Sequence, residues 1–335
     1  MTRALIVLRA GPGVTVQDRG RPGFLDHGLS VGGAADMLAL AEGAALLGQS
    51  PDHAAIELAG MGGIFQARGN LRIALTGAPM PASVEGERIA WNASHPLYDG
   101  QKLTLGTALT GNYGYLHVGG GIATPAFLGS RSAHLQAHIG APPGDAAVLP
   151  VGDDPGTETG LALDPADRFS GGTIRIVPSV QTSRFDAETL ARLQATTFTR
   201  DPRGNRMGAR MAFDGAPFTA EGQLNILSEM VVPGDIQITG DGTPFVLLGE
   251  CQTTGGYPRI GTVIPPDIPR IAQARAGDPI RFQFIARDAA LAIHRNARAH
   301  VETLAPRPLV RNPHDIRDLL SYQLIGGMIT GEEET

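Results

Sequence analysis

The sequence holds a single cysteine, Cys251, among its 335 residues. One thiol excludes a disulfide framework within the chain and fits a reducing compartment. Aromatic residues are scarce, at 5%. No stretch approaches the roughly 20 apolar residues that carry a helix across a bilayer. The opening Met1-Thr2-Arg3-Ala4-Leu5-Ile6-Val7-Leu8-Arg9 offers only five apolar residues before a charge. That is too short for a signal-peptide core and reads as a first strand. Basic residues (27) do not outnumber acidic ones (33), the net charge is −6, and no Lys/Arg stripe exists. Nucleic-acid binding by charge is thereby excluded. A soluble, cytoplasmic protein with no membrane partner is the expectation.

What is abundant is glycine (45) and proline (25), on a chain that is 42% hydrophobic and 18% charged. Such a chain can build a core, with many turns and short strands rather than long helices. Its length suits two domains. Residues 36–47 form the clearest helix: Met37, Leu40, Ala41, Ala44 and Leu47 fall at helical spacing, Gly48 ends it, and Glu42 should face outward. Strands are expected at 4–8, 14–18, 71–75, 102–105 and 113–118, with a tight hairpin over 83–89. Residues 141–168, rich in Pro, Gly, Asp and Ala, read as a linker. After them the plan restarts: a strand at 173–178, a helix at 186–193 with Asp186 as N-cap, then strands at 235–239, 245–248, 261–264 and 279–282. Helices are expected at 288–303 and 314–324, and a disordered tail at 331–335. The repeated order predicts two mainly β units, 1–168 and 169–335, each a closed or half-closed barrel, the second carrying the C-terminal helices and tail.

The chain is organised around residues 249–264. The apolar run Phe245-Val246-Leu247-Leu248 leads into a polar loop, Gln252-Thr253-Thr254-Gly255-Gly256-Tyr257-Pro258, and a β-branched run leaves it. Two glycines permit positive φ or a close approach to a ligand, and the amide and hydroxyls before them can donate and accept hydrogen bonds. The loop is either a recognition site or a plain tight turn; spacing does not choose between them. Asp18 with Arg19 and Arg21, and Arg206 with Arg210, sit beside glycines. Guanidinium forks suit carboxylate or phosphate recognition, and equally a structural bridge between the two halves.

Other motifs argue against familiar chemistries. His134 and His138 are four apart with no third ligand near, so structural histidines are the better reading and no metal site is expected. No Walker A sequence exists, and Gly119-Gly120-Gly121 lacks the lysine that holds phosphates. Cys251 has no histidine beside it and reads as a small buried hydrophobe. Gly129-Ser130-Arg131-Ser132 is not a nucleophile elbow.

An ordered set of motifs nevertheless resembles one family. It comprises Thr15-Val16-Gln17-Asp18-Arg19-Gly20-Arg21, Gly33-Ala34-Ala35-Asp36, Leu75-Thr76-Gly77-Ala78, Leu128-Gly129-Ser130-Arg131-Ser132 and Asn205-Arg206-Met207-Gly208. The strongest are Ser228-Glu229 with Val232-Pro233-Gly234, and Gln252 through Pro258. Across about residues 10–285 the chain is similar to the biotin-dependent carboxyltransferase, or allophanate hydrolase subunit 2, family. It departs from the pattern at Ala133, at Ala209, at Tyr113 and in the shortened run 138–143.

The resemblance implies two tandem cyclophilin-like β-barrel units and one component of a hydrolase complex, inactive alone. Its partners would be a subunit-1 type, cyclophilin-like protein and a third protein, the B and A components of a 5-oxoprolinase. The implied reaction is ATP-driven opening of 5-oxoproline to glutamate, with ATP bound at the level of the complex. Within this frame Glu229, Thr253 and Thr254 are the expected catalytic residues. Arg206, Gln252, Gly255, Gly256, Tyr257, Gln17, Asp18, Arg19, Ser130 and Arg131 are the expected substrate-binding ones. The family also admits carboxyl transfer to urea-like or amide acceptors. Biotin would then arrive on a separate carrier, since no Met-Lys-Met sequence is present. A third possibility is a binding antagonist of a kinase inhibitor.

Overall fold

The computed structural model describes residues 3–222 and 226–310. The expected helix at 314–324 and the tail at 331–335 lie outside the described residues. The first lobe is two sheets packed face to face. One takes the order 148–150, 4–10, 63–68, 102–105, 82–84 and 87–88. The other runs 15–17, 55–59, 113–118, 71–77, 93–97, 161–162 and 307–308. Alternating residues explain the pairing. Leu5, Val7, Phe65 and Leu103 from one sheet meet Ile56, Leu58, Ile73, Leu75 and Leu116 from the other in a single core.

Residues 141–168 are more than a connection. Val148–Pro150 pairs with the first strand, and Leu161–Ala162 joins the second sheet. Pattern missed them because each is only two or three residues long.

The helix α1 (Met37–Leu47) lies on the second sheet. Asp36 caps it by accepting from the Ala39 amide at 3.2 Å, and Gly48 ends it at φ 60°. Its interior glycine is a packing device: a Cβ on Gly43 would stand 2.3 Å from the His117 ring. Glu42 does not face outward as its spacing suggested. It is buried and grips Arg168 through two hydrogen bonds of 2.7 and 2.9 Å. The ion partner lies 126 residues away, beyond the reach of helical periodicity.

The second lobe is a closed barrel in the order 172–177, 259–263, 235–238, 244–247, 208–212, 198–200 and 279–284. The parallel pairing of Gly172–Val177 with Pro279–Phe284 closes it, so no edge is left exposed. Ile174, Ile176, Phe198, Ile236, Val246, Ile260 and Phe282 fill it, and this core continues into Tyr113 and Tyr115 of the first lobe. Two further helices decorate it: α2 (Ala187–Ala195), capped by Asp186, and the short α3 (Ile268–Gln273). A last helix, α4 (Arg287–Glu302), leaves the barrel's final strand. The chain then returns to the first lobe, where Arg307–Pro308 pairs with Leu161–Ala162. The molecule is thus mainly β and built of tandem barrel units, with the chain crossing between them more than once. Among the described residues no helix is long and apolar enough to cross a membrane.

Candidate active site at the barrel mouth and the lobe interface

The loop after Pro244–Leu247 returns across the mouth of the closed barrel. Thr254–Gly255 pairs with Glu229–Met230, bringing three expected site residues, Glu229, Thr254 and Gly255, side by side. Arg259 forms an ion pair with Glu229, and Gln181 donates to the same carboxylate at 2.9 Å. Arg259 also donates to the Met230 carbonyl at 2.9 Å and stands 3.4 Å from Asp235. The Glu229 side chain remains 48% exposed, so one face of a positioned carboxylate stays open to solvent. Thr253 is buried and its carbonyl accepts from Val231, whereas Thr254 is exposed and Tyr257 is half-exposed. Gln252 donates to the Gln237 side chain at 3.0 Å.

The two glycines act differently from the expectation of positive φ: neither is among the left-handed residues. Strand pairing with 229–230 holds this segment extended. What Gly255 supplies is clearance, because a Cβ there would sit 2.4 Å from the Gln237 Nε2. Cys251 lies beneath the loop. Burial, helped by Asp235, pushes its thiol up to about 12, so it stays protonated and packs with Val231 and Leu247.

Arg206 lies apart from this mouth, in the interface between lobes. It pairs with Glu57 of the first lobe, donates to Glu250 at 2.5 Å and to the Gly33 carbonyl at 2.5 Å. Burial alone would pull its guanidinium down, but Glu57 and Glu250 outweigh that and push it up. Glu250 in turn accepts from the Leu135 and Gln136 amides, tying the start of the 249–264 stretch to the first lobe. From Glu57 the network continues. Tyr115 donates to it at 2.7 Å, Asp36 N donates to the Tyr115 hydroxyl, and Asp36 holds Arg168 and Gln273. Of the two arginines in the 206–210 segment, Arg206 bridges the halves, while Arg210 binds Asp201 and Asp241 within the second lobe.

The third group of expected site residues forms a knot inside the first lobe. The Asp18 carboxylate accepts from the Ser130 and Ser132 hydroxyls, both at 2.5 Å, and from the Arg131 and Gly20 amides. Gln17 donates to Thr15 and to the Ala133 carbonyl. Among the described residues Arg19 reaches the exposed Asp52, at 3.1 Å. The neighbouring Arg21 is the buried one, its side chain given to carbonyls of residues 127–132. The His134 ring is engaged by groups other than His138. Its Nδ1 accepts from Ala137 and its Nε2 meets Ser30 at 2.9 Å.

The structure therefore gathers Glu229 and the 252–257 loop at one mouth, and Gln17, Asp18, Ser130 and Arg131 in a separate knot. Arg206 stands between lobes. Sequence reasoning missed Glu57, Glu250, Arg168, Gln181 and Arg259. Glu57 carried a signal, an acid inside the apolar strand Ala55–Ala59, where burial of a charge demands a partner.

Two β-barrel units joined through a buried arginine–carboxylate network, with a polar loop across one mouth, define a carboxyltransferase-type double-barrel protein. The chain belongs to the family described as carboxyltransferase domain, subdomain A and B, whose model matches residues 27–284. It is 34% identical to the C subunit of 5-oxoprolinase from Escherichia coli, over 90% of this chain and 98% of that protein. With the Haemophilus influenzae protein of the same name it shares 32% identity, over 87% of this chain and 94% of that one. Among solved structures, TTHA0988 matches with a TM-score of 0.77 and 30% identity, over 84% of this chain. This chain spans only 56% of TTHA0988. K. lactis urea amidolyase shares the fold, with a TM-score of 0.80 at 20% identity, over 93% of this chain and 20% of that one.

Proposed function

We propose that this chain is the C-type component of an ATP-dependent 5-oxoprolinase, acting in the cytoplasm with separate A and B components to open 5-oxoproline to glutamate. The observation that carries the reading is its similarity to the E. coli 5-oxoprolinase component, 34% identical over 98% of that protein's length. Ring opening needs donors for the substrate carboxylate and for the oxyanion that develops at the lactam carbonyl. The Thr253 and Thr254 hydroxyls and the Gly256 amide are the donors assigned, with Gln252 and Tyr257 at the rim; the Gly255 amide is taken up by pairing with Glu229. Glu229, fixed by Arg259 and Gln181 with one face open, is assigned as the base that takes a proton from attacking water. Arg206 and the Asp18–Ser130–Arg131 knot, with Gln17 and Arg19 beside it, hold the lobes and loops that carry these groups. They act on substrate through position rather than contact.

ATP is assigned to another protein of the complex. The one glycine run that could cradle phosphates has spent its amides: Gly119 donates to the Arg72 carbonyl, Gly120 to Gln49, and Gly121 to the Val118 carbonyl. A second reading, carboxyl transfer from biotin on a separate carrier, is favoured by the family description and by urea amidolyase of Lachancea kluyveri. That enzyme is 24% identical over 330 residues, but the match covers only 18% of it.

Co-purification with the products of neighbouring genes, followed by assay of ADP release with and without 5-oxoproline, tests the proposal. Substrate-dependent ADP with glutamate formed is the expected result. A stable complex with no turnover would move the assignment to carboxyl transfer.

A further inference from the structure

A cleft of about 850 Å³ lies between the lobes, away from the 252–257 loop. Its size falls within the about 300–1,000 Å³ usual for small-molecule sites, and domain boundaries are where such sites concentrate. α1 walls one side, the Pro265–Asp267 turn and α3 wall another, and α4 crosses over it. α4 is a 16-residue helix with no buried residue. A helix so lightly packed, tied to the barrel at one end and to the first lobe's sheet at the other, roofs a space rather than filling a core.

The lining has two characters. Met37, Leu38, Ala41, Pro266, Pro269 and Val301 give an apolar wall. Most of the lining cations are already matched: Arg168 by Asp36 and Glu42, Arg175 by Asp267, and Arg19 by Asp52. Arg270 is held by the carbonyls of Asp167 and Gly171 and stands 3.9 Å from the Asp167 carboxylate. On the α4 side the balance differs. Arg298 forms no ion pair or side-chain hydrogen bond with any described residue, and the Nδ1 of His294, one turn before it, is buried without a partner. His300 adds a second imidazole, and Glu302, at the helix end, is the acid that opposes them.

We propose that this cleft binds an amphipathic organic anion, its apolar body against α1 and the proline turn and its carboxylate or phosphate at Arg298 and His294. The cleft is several times larger than a five-membered lactam acid needs. Its lining includes neither Glu229 nor any residue of the 252–257 loop, so the site is distinct from the one assigned to 5-oxoproline, and turnover of that substrate tests the other reading and not this one. Because walls and roof come from both lobes, the ligand would link them.

The test uses the full chain and 8-anilinonaphthalene-1-sulfonate, an amphipathic anion whose fluorescence reports binding. Saturable one-site binding is expected, weakened at least tenfold by Arg298→Glu and by Ala297→Trp, which fills the cleft. Arg295→Glu, the same charge change on α4 outside the lining, should leave it unchanged. Displacement by decanoate or by decyl phosphate supports the proposal and tells a carboxylate head from a phosphate. Non-saturable binding, equal losses with Arg295→Glu and Arg298→Glu, or displacement by neither competitor would overturn it.

Discussion

Arg206, from the closed barrel, and Glu57, from the first lobe's second sheet, form a buried ion pair across the lobe interface. Glu57 is wholly buried, and the Arg206 side chain is 12% exposed. The same guanidinium holds Glu250 and the Gly33 carbonyl, so one side chain fastens three segments.

Removing one partner of such a pair leaves a buried charge uncompensated, which costs about 3–5 kcal/mol. Arg206→Ala should lower the urea midpoint accordingly. Arg206→Lys should rescue only part of the loss, because an ammonium cannot fork to two carboxylates and a carbonyl. A midpoint unchanged in Arg206→Ala would show that the lobes are held by other contacts.

His117 gives the chain an acid-sensitive element. It is fully buried against Thr76, which donates to the Ala39 carbonyl and so accepts from the His117 Nε2 at 2.8 Å. Burial lowers the imidazole from 6.5 to about 3. The folded state therefore binds fewer protons than the unfolded state between these values. Its contribution is fully present above pH 6.5 and is lost as the pH falls toward about 3. Urea unfolding across that window should lose up to about 5 kcal/mol from this group, since each pKa unit is about 1.4 kcal/mol. His117→Gln should flatten the slope.

Gly43 packs against the same ring. Gly43→Ala gains helix propensity, but its Cβ would lie 2.3 Å from His117, and overpacking of this kind costs about 1–3 kcal/mol. Thermal unfolding should show a net loss; a gain would mean that α1 shifts freely on its sheet.

Cys251 should resist alkylation by iodoacetamide at pH 8 in the native protein and react once unfolded, because its thiol is buried and pushed up to about 12. Rapid native labelling would show that the 251–257 loop opens in solution.

At the barrel mouth, Thr253→Val with Thr254→Val should lower 5-oxoproline turnover by the assembled complex about 100-fold or more, the usual loss when an oxyanion donor is removed. Partner binding and the unfolding midpoint should change little. Unchanged turnover would place the donors elsewhere.

The local order was legible in the sequence. Helix α1 could be read from its apolar spacing between Asp36 and Gly48, and five of the seven barrel strands from their apolar runs, because capping and alternation act over a few residues; Phe198–Arg200 and Gly208–Ala212 were not read. The ordered motifs also carried the family. Placement across the fold was not legible. Glu42 meets Arg168 at a separation of 126 residues, and Arg206 meets Glu57 at 149. Only the closed barrel and its docking on the first lobe bring these charges together. The same holds for the loop glycines. Sequence marked Gly255 as special, but the partner strand at Glu229–Met230 decided that its role is clearance rather than a left-handed turn. Short-range pattern decided where the longer helices and strands form. Tertiary packing decided which buried charges find partners, because desolvation makes that choice only once distant segments exclude water together.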